Sequence, residues 1–207
     1  MPDTIEQRSA EWYRQRLGNA TASRMYDIID TTRTGYTAKR SSYMIELLAE
    51  RLTGITQEHY VNEAMLWGID NEDFARAAYE ARNGVPVIET GYVPHPSIDH
   101  SGGSPDGLVS SEGLIEIKCP TTKTHIQFAL DGLIDPKYQA QMAWYIECTG
   151  REWCDFVSYD PRLPENVRLI VKRYVPEPAY LEYLRVEVKK FLAELAELEA
   201  KIRAYKA

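Results

Sequence analysis

The segment Ser104-Pro105-Asp106-Gly107-Leu108-Val109-Ser110-Ser111-Glu112-Gly113-Leu114-Ile115-Glu116-Ile117-Lys118 reads as two strands joined by a turn of serine, glutamate and glycine. Successive side chains of a strand point to opposite faces. LIEIK therefore puts Leu114, Glu116 and Lys118 on one side and Ile115 and Ile117 on the other. The isoleucines suit a sheet core, and Glu116 and Lys118 are expected about 7 Å apart on the exposed side. A carboxylate beside an ammonium suits a hard metal ion and a nearby water. For Asp106 to face Glu116, the hairpin must pair residues whose numbers sum to 222, with Val109 opposite Gly113 and a three-residue loop, Ser110 to Glu112. An even-numbered loop without a bulge turns Asp106 to the wrong face; a bulge or a bend at the strand end also satisfies the requirement. The competing reading is a solvated hairpin face with Glu116 and Lys118 as a surface pair, because a D…ExK pattern taken alone recurs by chance. Gly102-Gly103-Ser104-Pro105 is unusual for a plain strand and points to close backbone approach to a ligand.

Around this hairpin the chain mixes helices and strands. Ser9 is placed to cap a short helix through Arg16, and Thr21 a second over ASRMYDIID. Residues 31–41, TTRTGYTAKRS, are polar without an apolar period and read as a mobile loop. A helix is expected from about Ser42 to Leu52, carrying Tyr43, Leu47 and Leu48 at helical spacing. Asn62 caps the next helix and Gly84 stops it. From Val85 to Lys118, β-branched residues punctuated by glycine and proline mark strands. Asp135-Pro136 starts a helix, since proline at the first helical position loses no hydrogen bond, and Gly150 ends it. EWCDFVSYD and VRLIVKRYV read as two further strands. A long helix follows at about 177–205, where Leu181, Leu184, Val188, Phe191, Leu195, Leu198 and Ile202 form one stripe. Docking of that stripe on the chain's own core is favoured over a partner. The expected architecture is an α/β fold in one domain over residues 1–207, with the Asp106–Lys118 hairpin in a mixed β-sheet flanked by helices.

Bulk properties exclude several classes. No apolar run is long enough to span a bilayer, and MPDTIEQRSAEW lacks the basic start and apolar stretch of a signal peptide, so export and membrane insertion are not expected. The three cysteines, Cys119, Cys148 and Cys154, each sit beside apolar or aromatic residues and read as reduced, buried thiols of a cytoplasmic protein. The four histidines, His59, His95, His100 and His125, are too scattered to form a metal-ligand set. Without a nucleophile elbow or phosphate loop, a small-molecule hydrolase lacks support. Net charge is −7, yet Arg14, Arg16, Arg24, Arg33, Lys39, Arg40 and Arg51 gather in one stretch, a local basic track suited to phosphates. In the helix after Asn62, Met65, Ile69, Glu72, Arg76 and Tyr79 line one stripe, so Glu72 faces inward. An inward carboxylate needs a metal or a partner, and the competing partner is Arg76, four residues on.

SPDGL followed by IEIKCP resembles the core of the viral recombinase (lambda-type, YqaJ-like) exonuclease family within the PD-(D/E)xK nuclease superfamily. The similarity extends along most of the chain. WYRQRLGNATASR resembles that family's N-terminal arginine–glycine–threonine-alanine-serine segment, and WGIDNEDFAR its tryptophan-glycine helix with an inward glutamate. YQAQMAWY resembles its glutamine helix, and FVSYDPR the following strand and turn. Several motifs in one order weigh more than any single one.

The resemblance implies a restriction-endonuclease-like core with metal ligation by Asp106, Glu116 and the main-chain carbonyl of Ile117, and with Glu72 near a second metal. It implies that Lys118 positions or activates the attacking water, and that Gln141 belongs to the catalytic centre. Arg16, Ser23 and Ser104 would hold a terminal 5′ phosphate. A buried structural amide is the alternative for Gln141, and a plain surface arginine for Arg16. Oxygen-only ligands fit Mg²⁺ or Mn²⁺ rather than zinc. Also implied are 5′-to-3′ removal of mononucleotides from an end of duplex DNA, a 3′ overhang, a toroidal homotrimer and a single-strand annealing protein as partner. The setting would be the cytoplasm of a bacterial host, with the gene carried by a phage or prophage. The rivals are a structure-specific or restriction-like endonuclease with the same centre, and a non-catalytic DNA-end-binding protein that retained the fold.

Overall fold

Five strands, 169–174, 153–159, 113–118, 107–109 and 87–88 in spatial order, form the sheet that carries the hairpin. The computed structural model describes residues 5–56 and 62–206; His59 and the first four residues of the N-terminal stretch lie outside the described residues. The strands are β4 (Val87–Ile88), β7 (Gly107–Val109), β8 (Gly113–Lys118), β9 (Trp153–Tyr159) and β10 (Leu169–Tyr174). β7 and β8 are antiparallel with Val109 opposite Gly113 and Gly107 opposite Ile115, the register that places Asp106 across from Glu116. Ser110 opens the three-residue loop with a left-handed φ of 51°. β8 runs parallel to β9, while β9–β10 and β4–β7 are antiparallel, so the sheet is mixed as expected.

A parallel pair cannot be joined by a tight turn and needs a crossover. Here α5 (Thr122–Asp131) and α6 (Pro136–Thr149) supply it. Asp135 caps α6 through the Lys137 N–H, Pro136 is its first residue, and Gly150 ends it in the left-handed region, as the sequence indicated. The sequence reading assigned no element to α5, whose start is fixed by Thr121 accepting the Thr124 N–H.

Both faces of β8 are covered. On one, α4 (Glu63–Asn83) lays Ala75 and Tyr79 against Val109, Ile115, Ile117 and Val157. On the other, Leu114 and Phe156 meet α6 and α8 (Pro178–Arg203), with Met142, Leu184 and Phe191 in the same cluster. The stripe of α8 docks on the chain's own core through Leu184, Val188, Phe191 and Leu195, and only its last member, Ile202, is well exposed. The three cysteines are free and buried. No helix among the described residues is long and apolar enough to cross a membrane.

A second, three-stranded sheet delivers the N-terminal residues to the hairpin. β1 (Ala20–Thr21) runs parallel to β6 (Ser101–Gly103), which also pairs with β5 (Val93–Pro94). This draws α1 (Ala10–Arg16) up to Ser104, and Ser9 caps α1 by accepting the Trp12 N–H. Thr21, the last residue of β1, stands at the N-cap position of a 3-10 turn (Ala22–Arg24) that leads into α2 (Met25–Ile29), but its side chain makes no capping hydrogen bond, and its N–H goes to the Tyr43 hydroxyl at 2.9 Å. Residues 31–41 are not a plain loop. They form a small hairpin, β2 (Thr31–Thr32) with β3 (Gly35–Tyr36), and α3 (Ala38–Thr53) begins ahead of Ser42. The reason is Arg40, buried in the first turn of α3, ion-paired to Glu194 and stacked 4.3 Å from the Tyr36 ring. VRLIVKRYV likewise splits, since Pro164 starts a short α7 (Glu165–Arg168) ahead of β10.

Candidate active site

The β7 ladder ends at Gly107, and the next residue outward, Asp106, continues it with its side chain: Oδ2 accepts the Ile117 N–H at 2.7 Å. Glu116 lies opposite, fully buried between β8 and α6. This corrects the expectation of an exposed Glu116–Lys118 face, because α6 covers the side on which Glu116 sits. Glu116 Oε1 is ion-paired to Lys118 Nζ and accepts from Gln141 Nε2 at 2.9 Å, and the same Gln141 nitrogen donates to the Tyr145 hydroxyl at 2.5 Å. Gln141 thus fixes the orientation of a carboxylate. Glu116 Oε2 is buried and receives no hydrogen bond from any described residue.

Electrostatics at this point favour a cation. Burial and the nearby Glu116 hold the Asp106 carboxyl well above the usual carboxylate range. Burial by itself would lower the Lys118 ammonium, but Glu116 and Asp106 outweigh it and keep that group above the ordinary lysine value. Lys118 is therefore a fixed positive charge here, lying 5.2 Å from the Tyr138 ring. A divalent ion, which the sequence resemblance implies, fits these residues. Two facing carboxylates and the Ile117 carbonyl are all oxygen donors, and the unengaged buried Glu116 Oε2 is the atom that would otherwise be costly to leave bare.

Glu72 lies near enough to Asp106 for their charges to interact, though the described residues contain no cluster of three or more acidic, histidine or cysteine ligands. It ion-pairs with Arg76 at 3.2 Å, the alternative weighed from sequence, and with Arg8 at 2.5 Å. Its stripe is only half inward: Met65 and Ile69 are exposed, and burial begins at Arg76 and Tyr79.

Arg16 touches Ser104, two residues before Asp106, and shares a cavity with Ser23. Arg16 Nη1 and Trp12 Nε1 both donate to Ser104 Oγ at 3.0 Å, and the Arg16 guanidinium lies 4.1 Å over the Trp12 ring. Ser23, 3.4 Å from the Thr21 hydroxyl, shares with Arg16 a cavity of about 380 Å³. Burial lowers the Arg16 pKa, and no carboxylate among the described residues pairs with it. The rest of the basic track mostly spends its charge internally. Arg14 pairs with Glu11, Arg24 with Asp27 and Glu46, Lys39 with Asp30, Arg40 with Glu194 and Arg51 with Glu199. The local basic track is thus largely neutralised by acidic partners, whereas the half-buried Arg16 has none among the described residues.

The glycines before Asp106 make room for the chain's own aromatic side chains. A Cβ on Gly102 would meet the Tyr92 ring at 2.4 Å, and one on Gly103 would meet Tyr145 at 2.7 Å. Sequence reasoning missed Gln7, Arg8 and Trp12. Trp12 had a signal, four residues before Arg16 on one helix; Gln7 and Arg8 precede the Ser9 cap and carried no pattern.

Residues 11–152 match the YqaJ-like viral recombinase domain. The chain belongs to that family. An alkaline exonuclease from Laribacter hongkongensis is 44% identical, with a TM-score of 0.88 over 94% of this chain and 96% of its own. The structure of that protein in complex with dAMP aligns at 45% identity over the same shares and with the same TM-score. A phage related exonuclease from Haemophilus somnus 129PT shares the fold at 15% identity, with a TM-score of 0.69 over 89% of this chain and 96% of that chain. An uncharacterized protein of Acanthamoeba polyphaga mimivirus is 28% identical over 169 residues, which is 74% of this chain and 29% of that protein's length.

Proposed function

We propose that this member of the YqaJ-like family is a divalent-cation-dependent exonuclease that digests one strand of duplex DNA from its 5′ end, leaving a 3′ single-stranded overhang. The observation that carries the reading is the Asp106–Glu116 pair across the hairpin, with one buried Glu116 oxygen that receives no hydrogen bond from any described residue. Nuclease chemistry of the alkaline exonuclease kind is supported by the Laribacter hongkongensis relative. A magnesium ion held by Asp106, Glu116 and the Ile117 carbonyl would acidify a water and offset charge building on the phosphate, with Glu72 serving a second ion and manganese substituting. Gln141 holds Glu116 in its ligating rotamer. Lys118 steadies the attacking water and adds a positive charge beside the phosphate. Arg16, Ser104 and Ser23 grip the terminal 5′ phosphate, which gives the desolvated Arg16 guanidinium the anion it lacks. In this reading the working form is a homotrimeric toroid around DNA. It acts with a single-strand annealing protein in a bacterial cytoplasm, and its gene is carried by a phage or prophage.

The test is digestion of a linear duplex labelled separately at each 5′ and 3′ terminus, with and without a 5′ phosphate, in Mg²⁺. Label should leave first from phosphorylated 5′ ends, and circular duplex should stay intact. Cutting of the circle would instead make the protein an endonuclease.

A further inference from the structure

The segment ahead of α1 is tied to the catalytic hairpin. Gln7 Nε2 donates to the carbonyls of Pro105 and Thr90, both at 2.9 Å, which anchors Arg8 beside Asp106. Arg8 has a left-handed backbone, φ 68°, and its Nη2 lies 2.5 Å from Glu72 Oε2. Arg76 Nη2 holds the other oxygen of Glu72 at 3.2 Å. Both oxygens of the carboxylate are therefore engaged by guanidinium groups, and Arg8 is close enough to Asp106 for their charges to interact.

The two arginines are not equivalent. Arg76 has a side chain only 10% exposed and also pairs with Asp73 and Glu89, so removing Glu72 leaves it partnered. Arg8 has a side chain 43% exposed, and Glu72 is its only acidic partner within salt-bridge distance among the described residues. It also lines the cavity shared by Arg16 and Ser23. One side chain thus stands between an acid of the catalytic region and the candidate phosphate pocket.

We propose that Arg8 is an exchangeable counter-ion: it yields Glu72 to a divalent cation and turns its guanidinium to the phosphate held by Arg16 and Ser104. The inference rests on the nuclease reading above. A guanidinium and a divalent cation repel each other at a shared carboxylate oxygen, so one displaces the other. The displaced guanidinium then faces a phosphate that carries more than one negative charge, against which Arg16 supplies a single positive one. Cation loading and the grip on the strand end become coupled through one residue.

The test uses the full chain, wild type, Arg8→Ala and Arg8→Lys, with thermal melts in EDTA confirming that each folds. Calorimetric titration of Mn²⁺ without DNA reads the first half of the exchange. Arg8→Ala should bind the cation about twofold to fivefold more tightly, the range expected for losing a part-exposed ion pair. Anisotropy with nuclease-resistant phosphorothioate-ended duplexes reads the second half. With Mn²⁺ present, Arg8→Ala should lose about tenfold of the preference for 5′-phosphorylated over 5′-hydroxyl ends. Arg8→Lys should keep cation affinity near wild type while losing part of that preference, because an ammonium lacks the forked grip. Wild-type behaviour of Arg8→Ala in either titration overturns the exchange alone. A wild-type protein that neither binds Mn²⁺ nor prefers phosphorylated ends overturns the exchange and the nuclease reading together.

Discussion

Asp106→Asn should make the protein more stable without a cation and less stable with one. Burial and Glu116 raise the Asp106 carboxyl in the folded state. A carboxyl raised on folding weakens the fold wherever the unfolded chain has released its proton. The deficit is absent below about pH 4, grows with pH, and is complete above the folded value. Each unit of displacement is worth about 1.4 kcal/mol. Asparagine keeps an oxygen for the Ile117 N–H, which Asp106 now engages at 2.7 Å, and removes the repelling charge. In EDTA at pH 8 the variant should therefore unfold at higher urea than wild type, and the gap should close as pH falls towards 4. Saturating Mg²⁺ should reverse the order. Binding only to the folded state adds RT ln(1 + [L]/Kd), about 2.7 kcal/mol at one hundred times Kd, and the variant should gain little of it. Urea unfolding followed by tryptophan emission, in EDTA and in Mg²⁺, reads both effects. A lower midpoint for Asp106→Asn in EDTA, or equal gains from Mg²⁺, would refute the reasoning.

Asp160 should behave in the opposite sense. Burial would raise its carboxyl, but bonds from Arg162 and Thr122 outweigh this and hold it at about 2. A depressed carboxyl stabilises above its unfolded value of about 3.9, and that stability is lost as pH falls through the folded value. Asp160→Asn should thus cost roughly 2 kcal/mol at pH 7, with the difference from wild type fading between about pH 4 and 2 in urea melts. Gly113→Ala tests the turn that sets the register. Its Cβ would sit 2.1–2.4 Å from Trp153 ring carbons, and Arg173 stacks 3.4 Å from that ring. The expected cost is about 1–3 kcal/mol with reduced cleavage, measured by thermal melts and end-label release.

The hairpin was legible because its evidence is local. Alternation in LIEIK fixes the faces, and the requirement that Asp106 face Glu116 picks the register with a three-residue loop; both recur in the structure. The burial of Glu116 was not legible, since it depends on α6 arriving from a crossover distant in sequence. A carboxylate placed on a strand reads as solvent-facing until something covers it. The helix of Glu72 was legible only in part: helical spacing gives the stripe, but not that Met65 and Ile69 at one end are exposed while Arg76 and Tyr79 are buried. The short β1 and β6 were hidden in Thr21 and in two glycines, whose small size makes room for Tyr92 and Tyr145. The basic residues before Arg51 looked like a track because their partners, Glu194 and Glu199 among them, lie on α8. Arg8 was invisible, because its role comes from the tertiary contacts of Gln7 and Glu72.

Anomalous scattering from crystals grown with Mn²⁺ interrogates the centre without passing through activity. The expected peak lies between the strands of the hairpin, about 2.0–2.3 Å from a carboxylate oxygen of Asp106, from Glu116 Oε2 and from the Ile117 carbonyl oxygen. Ordered Asp106 and Glu116 side chains with no density between them at saturating Mn²⁺ would contradict it.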